Sequence, residues 1–221
     1  MTVLSNRLYR NAGNSSVLSQ VPDSAHTILD IGCGAGDNAR ALAEHGKVVD
    51  GVSISASEIE VAKMWCRSAI LYDLEQGLPP HINGLYDVCL CSHVLEHITE
   101  PSELLRDIRS VLKRNSGMLI VALPNIMHYR FRLRLLLGRF EYTSDGVMDN
   151  THYRWYTFAS GKRLLETNGF VVRRAFSEGS FPLWKLRKVL PGAVGRALDE
   201  MACRYRPGLF GLQHIYVATP S

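Results

Sequence analysis

The chain has 221 residues, 46% of them hydrophobic and 21% charged, with a formal net charge of +4. That balance suits one folded domain spanning 1–221, and the lack of low complexity or internal repeats excludes a disordered tail, a collagenous chain and a solenoid. Charge is uneven, with 6 Lys and Arg against 12 Asp and Glu in residues 1–100 and 19 against 9 in residues 101–221, so the second half either faces an anionic partner or presents a solvated basic surface.

Residues 1–13 are too polar for the core of a signal peptide, and no apolar run approaches the ~18–20 residues of a membrane span, so a cytoplasmic protein is expected. Thr27-Ile-Leu-Asp-Ile31 reads as a buried strand, residues 37–45 as a short helix and 47–52 as a second strand. A helix is predicted over 57–67 with Ser57 as its N-cap, then a short strand around 69–71 and a strong one over 86–91. A helix over 102–113 and a strand over 118–123, closed by Pro124, complete the alternation. Strand and helix repeated this way require parallel pairing with helices on both faces. Such a sheet binds its ligand beyond the carboxyl ends of its strands.

After Pro124 the pattern breaks. In residues 124–156 Arg130, Arg132 and Arg134 alternate as in a strand, while Leu133, Leu136, Leu137 and Phe140 share a helical face, and the segment stays unassigned. A helix over 157–168 stops at Gly169, a strand follows over 170–174, and the last strand covers 214–218. Pro182, Pro191, Pro207 and the glycines among them make residues 176–212 read as loop-rich. Insertions at 124–156 and 176–212 over a carboxyl edge suit an acceptor lid. The five cysteines are odd in number and never spaced C-x-x-C, which indicates reduced, mostly buried thiols.

Asp30-Ile-Gly-Cys-Gly-Ala-Gly36 sits where the first strand hands over to a helix. Alternate glycines let the backbone turn sharply and approach a ligand, and the helix start offers free N–H groups. The spacing lacks the later glycine of the dinucleotide fingerprint. Ile28 to Gly36, Tyr72-Asp-Leu-Glu75 with Leu78-Pro79, Tyr86-Asp-Val88, His93-Val-Leu-Glu-His97 and Gly117 follow in order. Together they resemble the class I S-adenosylmethionine-dependent methyltransferases. Pro124-Asn125, Gly138 to Tyr142, Asp149-x-Thr-His152 with Arg154, Gly169-Phe170 and Leu209 to Ala218 resemble a bacterial subgroup associated with surface polysaccharides and other small molecules. Residues 1–24 and 176–207 have no clear counterpart.

The resemblance implies an α/β, Rossmann-like three-layer sandwich with a seven-stranded, mostly parallel sheet whose last strand is antiparallel. It implies S-adenosylmethionine as cofactor, with Gly32, Gly34 and Gly36 lining its methionine part and Asp30, Cys33 and Asn38 among the cofactor contacts. Ser53, Ile54, Asp73, Leu74, Ser92 and His93 complete the implied contacts, Asp73 and Leu74 at the adenine. One position departs: the family carries Asp or Glu at the end of the second strand for the ribose hydroxyls, and Ser53 stands there. A neutral bond in place of a charge-assisted one weakens binding by about tenfold, and Asp50, three positions away, faces the other side of the strand.

Methyl transfer to a hydroxyl benefits from a base that takes its proton, and histidine suits that task near neutral pH. His93, Glu96 and His97 follow the strand that ends at Cys91, and the resemblance folds Asp149 and His152 back over the acceptor. Base or positioning roles for His97, His152 and Asp149 are the preferred reading. Pocket shaping is the second. The third is a divalent metal on His93, Glu96, His97 and His152, resembling the site of small-RNA end-methylating enzymes and in part the ubiquinone O-methyltransferases, where a glutamate replaces His93; such a donor set suits Zn, Mn or Fe over Mg. His128, Tyr129, Tyr153 and Arg154 are candidate acceptor contacts. The expected reaction is methyl transfer to an oxygen of a small molecule, sugar-like and either anionic or lipid-linked. Alternatives are N-, C- or RNA methylation, or a non-catalytic binding module. Nucleic acid is not the expected partner, and the sequence leaves oligomeric state open. Arginines 130, 132, 134 and 139 among leucines can meet an anionic membrane, though packing of those leucines into the core is the expected reading.

Overall fold

The computed structural model describes residues 13–182 and 191–221. A short helix α1 (Ser15–Leu18) precedes β1 (Thr27–Ile31), α2 (Asp37–Ala43), β2 (Val48–Ser53), α3 (Ala56–Ala62) and β3 (Ser68–Leu71). Then come β4 (Val88–Ser92), α4 (Pro101–Val111), β5 (Met118–Pro124), α5 (Tyr129–Leu136), α6 (Phe158–Thr167) and β6 (Phe170–Gly179). The chain ends with α7 (Gly192–Tyr205), α8 (Pro207–Phe210) and β7 (Gly211–Pro220). Single 3-10 turns lie at Leu74–Gln76 and Leu95–His97.

The strands form one seven-stranded sheet in the order β3-β2-β1-β4-β5-β7-β6. Pairings from β3 to β5 are parallel, and β7 runs antiparallel between β5 and β6. β1, β4 and β5 are buried almost throughout, as strands covered on both faces must be. Alternate side chains go to opposite layers. Leu29, Cys89 and Leu119 pack with Leu105 and Ile108 of α4 and Leu165 of α6, whereas Ile28, Leu90 and Ile120 pack with Ala39 and Leu42 of α2 and Ile59 of α3. The expected three-layer α/β sandwich is thus present. The chain reverses direction across the sheet between β1 and β4, which opens a crevice at their carboxyl ends.

Three segments differ from expectation. Helix α3 starts at Ala56, because Ser55 rather than Ser57 has the extended backbone of an N-cap and accepts from the Glu58 N–H at 3.4 Å. It also ends at Ala62, since the chain is drawn back to the sheet where the Arg67 N–H meets the Val49 carbonyl at 2.7 Å. β6 runs on to Gly179, and the stretch expected to be loops contains the 14-residue α7, whose Ala202 and Cys203 are buried. Helix α5 has no buried residue, and Leu133, Leu136 and Leu137 are 58%, 83% and 64% exposed. The leucines therefore do not join the core: α5 follows Pro124 beyond the end of β5, outside both helical layers. All five cysteines are buried and unbridged. Among the described residues no helix is long and apolar enough to cross a membrane.

Equilibrium unfolding in urea separates these environments. Leu105→Ala is expected to lose about 2–5 kcal/mol, and Leu136→Ala to stay within about 0.5 kcal/mol of the parent.

Candidate active site

The loop after β1 is built from left-handed glycines. Gly32, Gly34 and Gly36 have φ of 72°, 54° and 82°, a region that costs little only without a Cβ. The reasons for glycine differ along the loop. A Cβ on Gly32 would lie 2.3 Å from Val94 Cγ2, and one on Gly36 3.0 Å from Ala62 Cα. A Cβ on Gly34 would meet nothing closer than Glu58 Oε1 at 3.9 Å, so this glycine borders space a ligand can enter. Cys33 is fixed by its N–H to the Val52 carbonyl at 2.8 Å, which ties the loop to the end of β2.

Asp30, at the end of β1, is 1% exposed, and among the described residues neither carboxylate oxygen has a hydrogen bond of ordinary geometry. Burial pushes its carboxyl up to about 7, against a weaker pull from the Asn38 side chain. An orphaned buried carboxylate beside an open glycine loop fits a ligand that brings positive charge and N–H donors. S-adenosylmethionine carries both. Asn38 also accepts from the Asn14 N–H at 2.9 Å, and the Asn14 amide reaches Ser92 Oγ at 3.1 Å and Gln213 Oε1 at 2.9 Å. Asn14 therefore fastens α1 across α2, β4 and β7 at the crevice. Sequence reading missed it, since its neighbourhood carried no motif.

On the β2 side Ser53 is 4% exposed and donates to Glu58 Oε2 at 2.8 Å. Ile54 follows it in the turn to α3. Asp73 caps the Leu74–Gln76 turn, accepting from the Glu75 N–H at 3.1 Å, and Leu74 is buried in the core.

Across the crevice, His93 has φ 58° directly after β4, a conformation that costs of order 1–3 kcal/mol and clusters at functional sites. Its ring reaches Gln213 Oε1 at 2.9 Å and Glu96 Oε1 at 3.3 Å. Crowding by protein disfavours its charge, but Glu96 and Gln213 outweigh this and raise its pKa above 6.5. Glu96 is fully buried, and its main-chain carbonyl accepts the N–H groups of Tyr153 at 2.9 Å and Arg154 at 3.1 Å. That pair folds residues 149–156 onto the turn after β4 and brings His152 Nε2 to 4.0 Å from Glu96 Oε1. The His97 and His152 rings meet edge to face with centroids 4.6 Å apart.

Hydrogen bonds fix the useful nitrogens. His152 Nδ1 lies 3.1 Å from the Val147 carbonyl, which can only accept, so Nδ1 carries the proton and Nε2 keeps its lone pair when the ring is neutral. Thr151 Oγ1 donates to Asp149 Oδ1 at 2.7 Å and so accepts from His97 Nδ1 at 3.0 Å. Asp149 thus orients His97 through Thr151, an intermediary the sequence did not reveal. Burial, with help from His97, lowers the His152 pKa below 6.5 despite Glu96. For Asp149, burial is overcome by the bonds from Thr151, and its pKa is lowered.

Ligand atoms of Glu96, His97 and His152 lie within 4.8 Å of one another, close enough to hold one metal ion. His93, the fourth expected ligand, is not part of that group: its Nδ1 lies 3.3 Å from Glu96 Oε1 and its Nε2 is engaged by Gln213 Oε1 at 2.9 Å. Of the expected acceptor contacts, His128 is fully buried as the N-cap of α5, where burial lowers its pKa to about 4, and its ring lies 4.3 Å from that of Tyr129. Tyr153 is 63% exposed. Arg154 donates from Nε to the Thr99 carbonyl at 2.9 Å and pairs with Glu100 at 3.8 Å, so its guanidinium fastens the turn before α4.

The model of a family described as "Methyltransferase domain" matches residues 3–175. The ubiquinone biosynthesis O-methyltransferase of Paraburkholderia xenovorans (strain LB400) is 30% identical over 145 residues, 61% of each chain. That of Aeromonas salmonicida (strain A449) is 30% identical over 160 residues, 66% of this chain and 63% of its own. The matches thus span about three-fifths of these curated relatives. Among solved structures, magnesium protoporphyrin IX methyltransferase from Synechocystis PCC 6803 with bound SAH superposes with a TM-score of 0.62 at 21% identity, over 93% of this chain and 81% of that one. A SAM-dependent methyltransferase from Archaeoglobus fulgidus gives 0.61 at 22%, over 89% and 86%.

Two measurements check the site. Gly32→Ala is expected to cost at least about 1–3 kcal/mol in urea unfolding, since the new Cβ meets Val94 in a left-handed backbone. In NMR titration His152 should take its proton below pH 6.5 and His93 above it. The sign for stability follows: with a folded pKa below its unfolded value, His152 favours the native state at neutral pH, and that contribution falls as the pH drops below 6.5.

Proposed function

This chain belongs to the methyltransferase-domain family, and from that premise we propose that it is an S-adenosylmethionine-dependent enzyme that methylates an oxygen of a small molecule. The observation that carries the reading is the pair His97 and His152, each with Nδ1 fixed as a donor and Nε2 left with a lone pair, beside a fully buried Glu96. The relatives named as ubiquinone biosynthesis O-methyltransferases support oxygen as the methylated atom.

When bound, S-adenosylmethionine supplies an electrophilic methyl group on a sulfonium. The chain's own residues do the rest. Asp30 and the glycine loop hold the cationic end, and the histidine pair holds the acceptor hydroxyl on the other side of the crevice. His152 Nε2 would take the proton of the acceptor hydroxyl as its oxygen is methylated. Its lowered pKa keeps it neutral and ready at pH 7. Glu96 faces the resulting imidazolium and stabilises its charge, and His97, held by Thr151 and Asp149, positions the acceptor.

We assign the acceptor to hydroxylated, sugar-like molecules with an anionic or lipid-linked portion. Supporting this is the segment of α5 and the residues just after it, which exposes Leu133, Leu136 and Leu137 together with Arg130 and Arg139. Such a surface suits an apolar chain next to a phosphate or carboxylate. A second reading is favoured by the Glu96, His97 and His152 cluster: a Zn, Mn or Fe ion there would hold acceptor oxygens and acidify the hydroxyl, with the imidazoles as ligands instead of bases.

The test is an acceptor screen of hydroxylated small molecules with metal-stripped protein. We expect turnover without added metal, and His97→Ala and His152→Ala to reduce it by about 10²–10⁴-fold while affinity for S-adenosylhomocysteine stays within about threefold, since neither ring borders the glycine loop. Turnover that needs added Zn or Mn selects the metal reading. Wild-type turnover in both variants refutes either role.

A further inference from the structure

We propose that Glu58, on the first turn of α3, is the acceptor for the ribose hydroxyls of the cofactor, doing from a helix what Ser53 at the end of β2 cannot do alone. The inference rests on the S-adenosylmethionine reading and adds a binding residue to it. A vicinal diol presents two O–H donors, and an ionised carboxylate, with about four lone-pair sites and no proton to place, is the matching acceptor. In doubly wound sheets the nucleoside lies at the switch point, with its sugar near the end of the second strand, about 20 residues beyond the glycine turn. Ser53 lies 21 positions after Gly32 and ends β2.

Four observations move the carboxylate from that strand to Glu58. Ser53 Oγ donates to Glu58 Oε2 at 2.8 Å and accepts the Ser55 N–H at 3.3 Å, so the serine has little acceptor capacity left. The other carboxylate oxygen, Glu58 Oε1, faces the position a Cβ would take on Gly34, at 3.9 Å, and so borders the open part of the glycine loop. Glu58 is 7% exposed, although α3 has a solvent-facing side for a charged residue. Asp50, the nearest acid on β2, is already engaged by Arg67 Nε at 3.0 Å and the Tyr86 hydroxyl at 2.8 Å, away from the crevice. Placed this way, the ribose would lie between β2 and the loop, on the opposite side of the crevice from His97 and His152.

Calorimetric titration with S-adenosylhomocysteine and with its 2′-deoxyribose analogue tests the assignment. Wild-type protein should prefer the ribose ligand by about tenfold, the difference between a charge-assisted and a neutral bond. Glu58→Gln should bind S-adenosylhomocysteine about tenfold more weakly and discriminate between the two ligands by less than about threefold. Ser53→Ala, which keeps the carboxylate, should lose less than Glu58→Gln does. Equal losses for both ligands in Glu58→Gln would mark Glu58 as merely structural, and a larger loss in Ser53→Ala would return the role to the serine; either overturns the proposal. Should Glu58→Gln not fold, Ser53→Asp/Glu58→Ala decides: ribose discrimination regained from a carboxylate on β2 supports the assignment, and its absence overturns it. Absence of binding of either ligand to the wild-type protein would contradict the cofactor reading itself.

Discussion

The site depends on where the sheet reverses its strand order. Because β1 pairs with β2 on one side and β4 on the other, all in parallel, the loops leaving β1 and β4 must part to opposite faces. The glycine loop goes one way and the turn carrying His93, Glu96 and His97 the other. The glycine loop and the turn after β4 hang on neighbouring strand ends, α3 adds Glu58 from beyond β2, and residues 149–156 fold back to add His152. The positions of those strand ends follow from hydrogen bonds buried inside the sheet.

Into that crevice the fold places three acids with little or no exposure: Asp30, Glu58 and Glu96. Burying a carboxylate costs several kcal/mol unless charge or donors compensate: Ser53 donates to Glu58 and the imidazoles of His93 and His152 face Glu96, whereas Asp30 makes sense as half of an interaction completed by a ligand. Asp30 suits the cation of the methyl donor, Glu58 its sugar, and Glu96 an imidazole that gains a proton during transfer. The order along the crevice, sugar side to proton acceptor, matches the order of groups in a methyl transfer. Stability is given up locally, at Asp30 and at the left-handed His93, and is supplied by the closely packed layers on either side.

Much of this was legible in the sequence. Runs such as Ile28 to Ile31 and Leu119 to Leu123 announce strands buried on both faces, and the glycine loop announces the ligand edge. The register of serines 53, 55 and 57 was not legible, since each is a good cap and only the backbone turn selects Ser55. Helix α7 was hidden by Gly192 and Gly195 in its first turn, residues that argue for a loop when read locally. Glu58 and Thr151 were missed for a shared reason: their roles depend on which way a side chain points and on which distant residue it meets. The leucines of α5 were misplaced because a helical face in sequence does not reveal whether anything stands opposite it.

The most direct test is a crystal structure of the protein with S-adenosylhomocysteine. The account predicts the ribose on the Ser53 and Glu58 side, the amino group at Asp30, and the sulfur directed across the crevice toward His97 and His152. A product bound away from the glycine loop, or with its sulfur facing away from the two histidines, would contradict it.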